Sequence, residues 1–235
     1  MSVLSNFIAD CLEYIYQFTA MLHIPNYALA IILLTLALKL ILFPLSLKQN
    51  RSMRDMQRVQ PLLQEINQRY ANNPEARGNA MMKVYRDYHI SPLAGCLPLL
   101  IQLPILVALF NALRTFVPSN PGDYVLFPSF WITNLSEPDP TKIIMPILVA
   151  GSTFLQSYLS VGKPEQTAQK VMLYGMPLMM AYWAMTFPSA LCLYWIFYGL
   201  FSMAERFVVN GGTFKPAPID LSEVKKEKGG KGGKK

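Results

Sequence analysis

Residues 27–47 read YALAIILLTLALKLILFPLSL, and this stretch decides the fold class. At about 1.5 Å per residue, a helix of this length crosses the hydrocarbon core of a bilayer. One basic side chain, Lys39, interrupts the apolar run. The stretch therefore predicts a transmembrane helix that carries a charge at depth.

Four further apolar runs follow it along the chain. They cover residues 93–113, 143–159, 171–187 and 189–207. Of the 235 residues, 52% are hydrophobic and 15% are charged, whereas a soluble domain is about 25% charged. We therefore predict an all-α membrane protein with a five-span core at residues 26–209.

The basic residues are distributed unevenly between the two sides of these spans. Eighteen of the 21 Lys and Arg residues lie in 48–92, in 160–170 and from Arg206 onward, and only Arg114 and Lys142 fall on the opposite side. Cytoplasmic loops are enriched in Lys and Arg. The pattern predicts an N-terminus outside and a C-terminus in the cytoplasm, with anionic lipids contacting the basic segments.

Three segments lie outside the spans. Residues 1–25 hold an amphipathic pattern at three- and four-residue steps, which predicts a helix in the outer membrane interface. Residues 48–92 contain two apolar stripes joined by the turn 71–74, which predicts a cytoplasmic helical hairpin. Residues 210–235 are rich in Gly and Lys, and we expect a disordered basic tail.

The hairpin carries a methionine-rich face. Its candidate contact residues are Met53, Met56, Met81 and Tyr85. They either cover each other between the two helices or offer an adaptable surface to clients. Both interpretations stay open, and they are compatible.

Lys39 is the central candidate, because a charge at the bilayer centre is costly and usually functional. The first four spans contain no Asp or Glu, and Glu205 lies at the very end of the fifth. We therefore expect no internal ion pair, only neutral polar neighbours such as Thr35 and Gln102. These features predict a water-filled, positively charged cavity whose counter-charge is an acidic group that binds only transiently. Alternatively, Lys39 faces a polar crevice or lipid phosphate without a specific role.

Metal, redox and catalytic motifs are not apparent. The cysteines Cys11, Cys96 and Cys192 are far apart and form no CxxC pair, and the histidines are His23 and His89. We predict no catalytic residues, no metal and no cofactor, and so a protein that is not an enzyme. A small proton- or solute-coupled transporter using Lys39 is the alternative. Such a protein would favour an internal carboxylate and an inverted repeat.

Four stretches, in order, resemble the YidC/Oxa/Alb membrane insertase family. They are 38–70, 91–110 (SPLAGCLPLLIQLPILVALF), 130–160 and 187–207 (FPSALCLYWIFYGLFSMAERF). The overall pattern is similar to the compact bacterial type with five spans.

The resemblance implies a function and a site. Members of the family insert nascent membrane proteins into the bacterial plasma membrane, alone or with the Sec translocon, and act as membrane chaperones. Their helices enclose a hydrophilic groove open to the cytoplasm, where Lys39 matches a position that is more often Arg. The implied groove lining is Thr35 and Gln102, and the implied client slide is Leu103, Leu106, Tyr194 and Trp195. Basic cytoplasmic segments would contact the ribosome.

Overall fold

The computed structural model describes residues 2–24, 26–88, 90, 97–116, 135–161, 167–209 and 211–212. Its helices are α1 (Ser2–Met21), α2 (Tyr27–Ile41), α3 (Phe43–Arg69), α4 (Pro74–Asp87), α5 (Leu97–Phe116), α6 (Ile144–Val161), α7 (Thr167–Lys170), α8 (Met176–Ala184) and α9 (Ser189–Val209). A π-helical turn, Val171–Gly175, joins α7 to α8. Within the described ranges all regular structure is helical, so the all-α prediction is confirmed. The predicted disordered tail from residue 213 and the start of the second span, 93–96, lie outside them.

The apolar helices overlap the predicted spans along the sequence. By length and composition, α9 alone qualifies as a full membrane span among the described residues, and α2 with α3 qualifies if the bent pair is one span. Shorter apolar helices cover Ile101–Leu113, Ile144–Leu159 and Val171–Ala184. Their outward sides are apolar too: Ile147, Leu178 and Tyr182 are each more than 60% exposed. Such contiguous apolar surface is typical of helices that face lipid.

The first predicted span is not one straight helix. It ends at Ile41, and α3 starts at Phe43 after a 70° bend. Pro44 sits in the first turn of α3, where its missing N–H costs nothing. In a continuous helix its ring would instead clash with the carbonyl of Leu40. The predicted span 27–47 is therefore divided at Leu42, and Lys39 lies in the last turn of α2.

Helix α1 buries only part of its predicted apolar face against the protein. Ile8 and Leu12 are 2% and 0% exposed and belong to the core that α1 forms with α2 and α5. Val3, Phe7 and Phe18 are more than half exposed. Apolar residues at three- and four-residue steps cover a wide arc of a helix, so one part packs on protein and the other stays uncovered.

The main core lies where α2, α5, α6, α8 and α9 meet. Its largest fully buried side chain is Tyr27. The Tyr27 ring stacks on Tyr16 of α1, with centroids 3.9 Å apart and planes 4° apart. This contact fixes α1 against the start of α2.

Helices α3 and α4 form a second, smaller core. Val59 and Leu63 of α3 pack with Val84 of α4 and with Ile90. The side chain of Asn73 accepts the N–H of Ala76 at 3.0 Å and so caps α4. Each helix thus buries the apolar stripe of the other.

A short segment, 135–143, ties the starts of α6 and α9 together, and we call it the Asp139 clamp. Asp139 is 1% exposed. Its carboxylate accepts the N–H of Met145 at 2.9 Å and both the N–H and hydroxyl of Thr141 at 3.0 and 2.7 Å. The carbonyls of Glu137 and Leu135 accept the N–H groups of Ser189 and Ala190 at 2.8 and 2.9 Å. The clamp therefore satisfies free N–H groups at two helix starts.

These contacts govern the charge state of Asp139. Burial raises the pKa of its carboxyl group, but the hydrogen bonds from Met145, Thr141 and Ile144 outweigh that effect and hold the pKa below its ordinary value of 3.8. The ionised form is therefore the one that stabilises the fold.

We expect Asp139→Ala to lower the free energy of unfolding by about 2–4 kcal/mol, because it removes a buried charged acceptor and leaves N–H groups unpaired. Thermal unfolding in detergent, followed by circular dichroism, measures this. Asp10→Ala removes an exposed carboxylate from α1 and is the control. Equal effects of the two substitutions would contradict the clamp.

The stabilisation also depends on pH. A depressed folded-state pKa contributes stability above the unfolded pKa, and this contribution is lost as the pH falls through the folded value. Between about pH 5 and about pH 3, the unchanged chain should lose more stability than Asp139→Asn. If the two proteins lose the same free energy of unfolding over this pH range, Asp139 has no such role.

Candidate functional site

A polar cavity of about 140 Å³ lies between α2, α3, α5, α6 and α9. Its polar lining includes Lys39, Asn50, Gln102, Gln156, Ser157 and Ser202. These residues come from five helices, and Lys39 and Ser202 are 163 positions apart in the sequence. The cavity brings the predicted charge, Lys39, together with the predicted polar residue Gln102.

Lys39 has an internal partner, Glu205. Its Nζ lies 3.4 Å from Glu205 Oε2, donates to Ser202 Oγ at 2.6 Å, and lies 4.1 Å from the ring centroid of Tyr198. Its side chain is 10% exposed and that of Glu205 is 8% exposed. The expectation that no ion pair forms at this depth was wrong.

The register between α2 and α9 explains the ion pair. Lys39 comes 12 residues after the start of α2, and Ser202 comes 13 residues after the start of α9. The two helices pack against each other. The bond from Lys39 Nζ to Ser202 Oγ places these two positions side by side, and Glu205 is about one turn further along α9. Counting back from residue 47 placed Lys39 too far from the helix end.

Glu205 is held from two sides. Its Oε1 accepts a hydrogen bond from Nδ2 of Asn50 on α3 at 3.1 Å, while its Oε2 faces Lys39 on α2. The next residue, Arg206, lines the same cavity. Two cations and one carboxylate thus belong to the described lining.

A smaller cavity of about 20 Å³ adjoins Lys39 on the other side. It is lined by the predicted residues Thr35 and Gln102 together with Tyr194. The hydroxyl of Thr35 donates to the carbonyl of Ile31 at 2.6 Å. The amide of Gln102 donates to the hydroxyl of Tyr194, which is only 2% exposed. Tyr194 therefore lies in the interior, bonded to Gln102.

An apolar cavity of about 180 Å³ borders the polar one. The other three predicted slide residues, Leu103, Leu106 and Trp195, line it. Methionines of α8 supply much of the remaining wall: Met176, Met179 and Met180. The two cavities share Gln102, Met176 and Trp195, and the Trp195 indole donates to Thr153 Oγ1 at 3.0 Å. A polar and an apolar compartment thus meet at one wall.

Sequence reasoning missed part of the lining of the polar cavity. The missed residues are Asn50, Tyr198, Ser202, Glu205 and Arg206. A signal was present on α9, because Tyr194, Tyr198 and Ser202 follow each other at four-residue steps and Glu205 follows three residues later. Such spacing places polar groups on one face of an otherwise apolar helix.

A family model described as 60Kd inner membrane protein matches residues 18–216. The chain belongs to the 60Kd inner membrane protein family. Its resemblance to the YidC insertases is thereby confirmed.

Several relatives in this family carry the name "Membrane protein insertase YidC". The one from Fusobacterium nucleatum is 36% identical over 209 residues, which are 89% of this chain and 98% of the relative. Those from Polynucleobacter necessarius and Maridesulfovibrio salexigens are 38% and 35% identical over 80% and 84% of this chain. The chain spans only about a third of these last two relatives, 33% and 36% of their length.

A solved structure of the same family has a similar fold. It is described as "Active YidC insertase crystal structure with the first transmembrane domain resolved". The match has a TM-score of 0.67 and 27% identity, and covers 86% of this chain and 45% of that one. The transporter alternative finds no support among these relatives.

The methionine-rich face of the hairpin is divided in this family member. Met53 lines the polar cavity. Met56, Met81 and Tyr85 pack against the hairpin's own core, and burial raises the pKa of Tyr85. The described part of the chain has no group of three His, Cys, Asp or Glu residues able to hold a metal ion.

We expect Tyr194→Phe to lower the free energy of unfolding by about 1–2 kcal/mol, because the Gln102 amide, 5% exposed, loses its acceptor. Adding Gln102→Leu should restore part of the loss, since both polar partners are then gone. Thermal unfolding of the two single variants and the double variant measures the coupling. Strictly additive losses would contradict the pairing.

Proposed function

We propose that this chain is a membrane protein insertase and membrane chaperone. It moves short hydrophobic segments and their acidic outer tails into the bilayer through the polar cavity. The observation that carries this proposal is the shared wall of Gln102, Met176 and Trp195 between the polar and the apolar cavity. The names of its relatives support the same activity.

The two cavities suit the two parts of such a client. An acidic tail enters the polar cavity near Lys39, where a charge pair is worth more than in bulk water. The hydrophobic segment passes along Leu103, Leu106 and Trp195 toward lipid, driven by burial of about 25 cal/mol per Å². No covalent bond is made or broken in this step, so the proposed activity is not enzymatic.

The proposed placement in the membrane follows the basic residues. The five spans enclose a groove open to the cytoplasm, with α1 in the outer interface and the α3–α4 hairpin in the cytoplasm. The N-terminus lies outside and the C-terminus inside the bacterial plasma membrane. Nascent membrane proteins are the clients, and the Sec translocon and the ribosome are proposed partners. The basic segments contact the ribosome and anionic lipids.

Lys39→Ala should reduce insertion of a client with an acidic N-terminal tail by about tenfold or more, because the tail loses its cation. Lys39→Arg should retain most of the insertion, since it keeps the charge. Protease protection of the client in proteoliposomes that hold only this protein measures the effect at matched protein levels.

Equal insertion by all three proteins would remove Lys39 from the mechanism. No insertion above empty liposomes, with a client that needs no Sec translocon, would overturn the proposed function itself.

Single cysteines test the proposed topology in a variant whose three native cysteines are replaced. Glu137 lies in the clamp and Asn72 in the hairpin turn, and both are exposed. The two single-cysteine variants are Glu137→Cys and Asn72→Cys. A membrane-impermeant maleimide should label Glu137→Cys in intact cells and Asn72→Cys only after the membrane is opened. The reverse pattern would overturn the orientation.

A further inference from the structure

The carboxylate of Glu205 lies within reach of two cations in the polar cavity. Lys39 Nζ is 3.4 Å from its Oε2. Arg206, the next residue on α9, lines the same cavity. One internal carboxylate therefore shares the cavity with two positive groups.

The Lys39–Glu205 pair is largely shielded from solvent. Side-chain exposures of 10% and 8% leave little room for water or salt to screen it. Two further neighbours of the Lys39 ammonium, the Ser202 hydroxyl and the Tyr198 ring, are neutral. A client carboxylate that approaches Lys39 must therefore compete with Glu205 for the ammonium.

Arg206 offers Glu205 a second position. Its Nη1 is buried and has no hydrogen-bond partner among the residues that the structure describes. A buried donor left unpaired is costly, and a guanidinium binds a carboxylate well. The unpaired donor and the Glu205 carboxylate line the same cavity, so a move of the carboxylate to Arg206 would stay within this site.

We propose that Glu205 is an internal stand-in for the client's acidic group and passes from Lys39 to Arg206 when a client carboxylate pairs with Lys39. This inference rests on the insertase function proposed above. The exchange converts one ion pair into two, Lys39 with the client and Arg206 with Glu205. Glu205 then determines how strongly the cavity selects for acidic tails.

Glu205→Gln tests the competition. The amide keeps the size of the side chain and an oxygen for Asn50, but removes the charge. Two clients share one hydrophobic segment and differ only by Asp or Asn in the tail. In proteoliposomes with limiting client, the variant should raise the ratio of Asp-client to Asn-client insertion by at least about threefold.

Glu65→Gln is the matched control. Glu65 is exposed on α3, and its replacement changes the net charge by the same amount. The client ratio should equal that of the unchanged chain. A rise like that of Glu205→Gln would assign the effect to overall charge and overturn the proposal.

Arg206→Gln tests the second position. It should lower the client ratio by at least about threefold, and Arg206→Lys should preserve most of it. In the Glu205→Gln background, Arg206→Gln should have little further effect, because no carboxylate remains to be transferred. If Arg206→Gln lowers the client ratio equally with Glu205 and with Gln at position 205, Arg206 acts only by attracting the client with its positive charge. That result would overturn the transfer of Glu205.

The remaining outcomes separate the two proposals. If the unchanged chain inserts the Asp client but Glu205→Gln lowers both clients alike, Glu205 is a structural tie and only the stand-in role fails. If the unchanged chain inserts neither client, the insertase function fails and the stand-in role with it. If Glu205→Gln does not fold, Glu205→Asp withdraws the carboxylate from Lys39 and should raise the ratio in the same direction.

Discussion

A lysine ammonium among apolar helices needs a counter-charge, and the carboxylate of Glu205 supplies it at 3.4 Å. Breaking such a shielded pair leaves an uncompensated buried charge, which is strongly destabilising. The pair therefore fixes α9 against α2, and the bond from Asn50 to the same carboxylate adds α3. Three helices that line the polar cavity, α2, α3 and α9, are thus joined at this one carboxylate.

The neighbouring apolar cavity gives the site its mixed character. Methionines of α8 form much of its wall, and their flexible side chains accommodate apolar groups of different shape. The shared Trp195 is anchored by its bond to Thr153. A chain segment with a charged end and an apolar body thus finds a matching surface for each part within one site, which is the requirement of the proposed insertion step.

The sequence predicted the helices well and their mutual registration poorly. Long apolar runs such as 171–184 and 189–209 leave little choice but helix, so the all-helical class followed from composition. The Lys39–Glu205 pair joins residues 166 positions apart. The pattern of apolar residues within one helix does not show how that helix is positioned along its neighbour. The bend at Leu42 was missed because Pro44 is compatible with either a kinked span or a new helix start. The sequence could not show which part of the apolar face of α1 is covered, because only packing decides that.

The Asp139 clamp joins α6 and α9 at their starts but not at their far ends. The starts of both helices are held by backbone and carboxylate bonds around Leu135, Glu137 and Asp139. The residues that line the polar cavity lie further along each helix, at Thr153 on α6 and Ser202 on α9. Separating the two helices at their starts would break the bonds around Leu135, Glu137 and Asp139. A change in the width of the polar cavity at the far end breaks none of these bonds, so the clamped ends of α6 and α9 stay together whatever occupies the site.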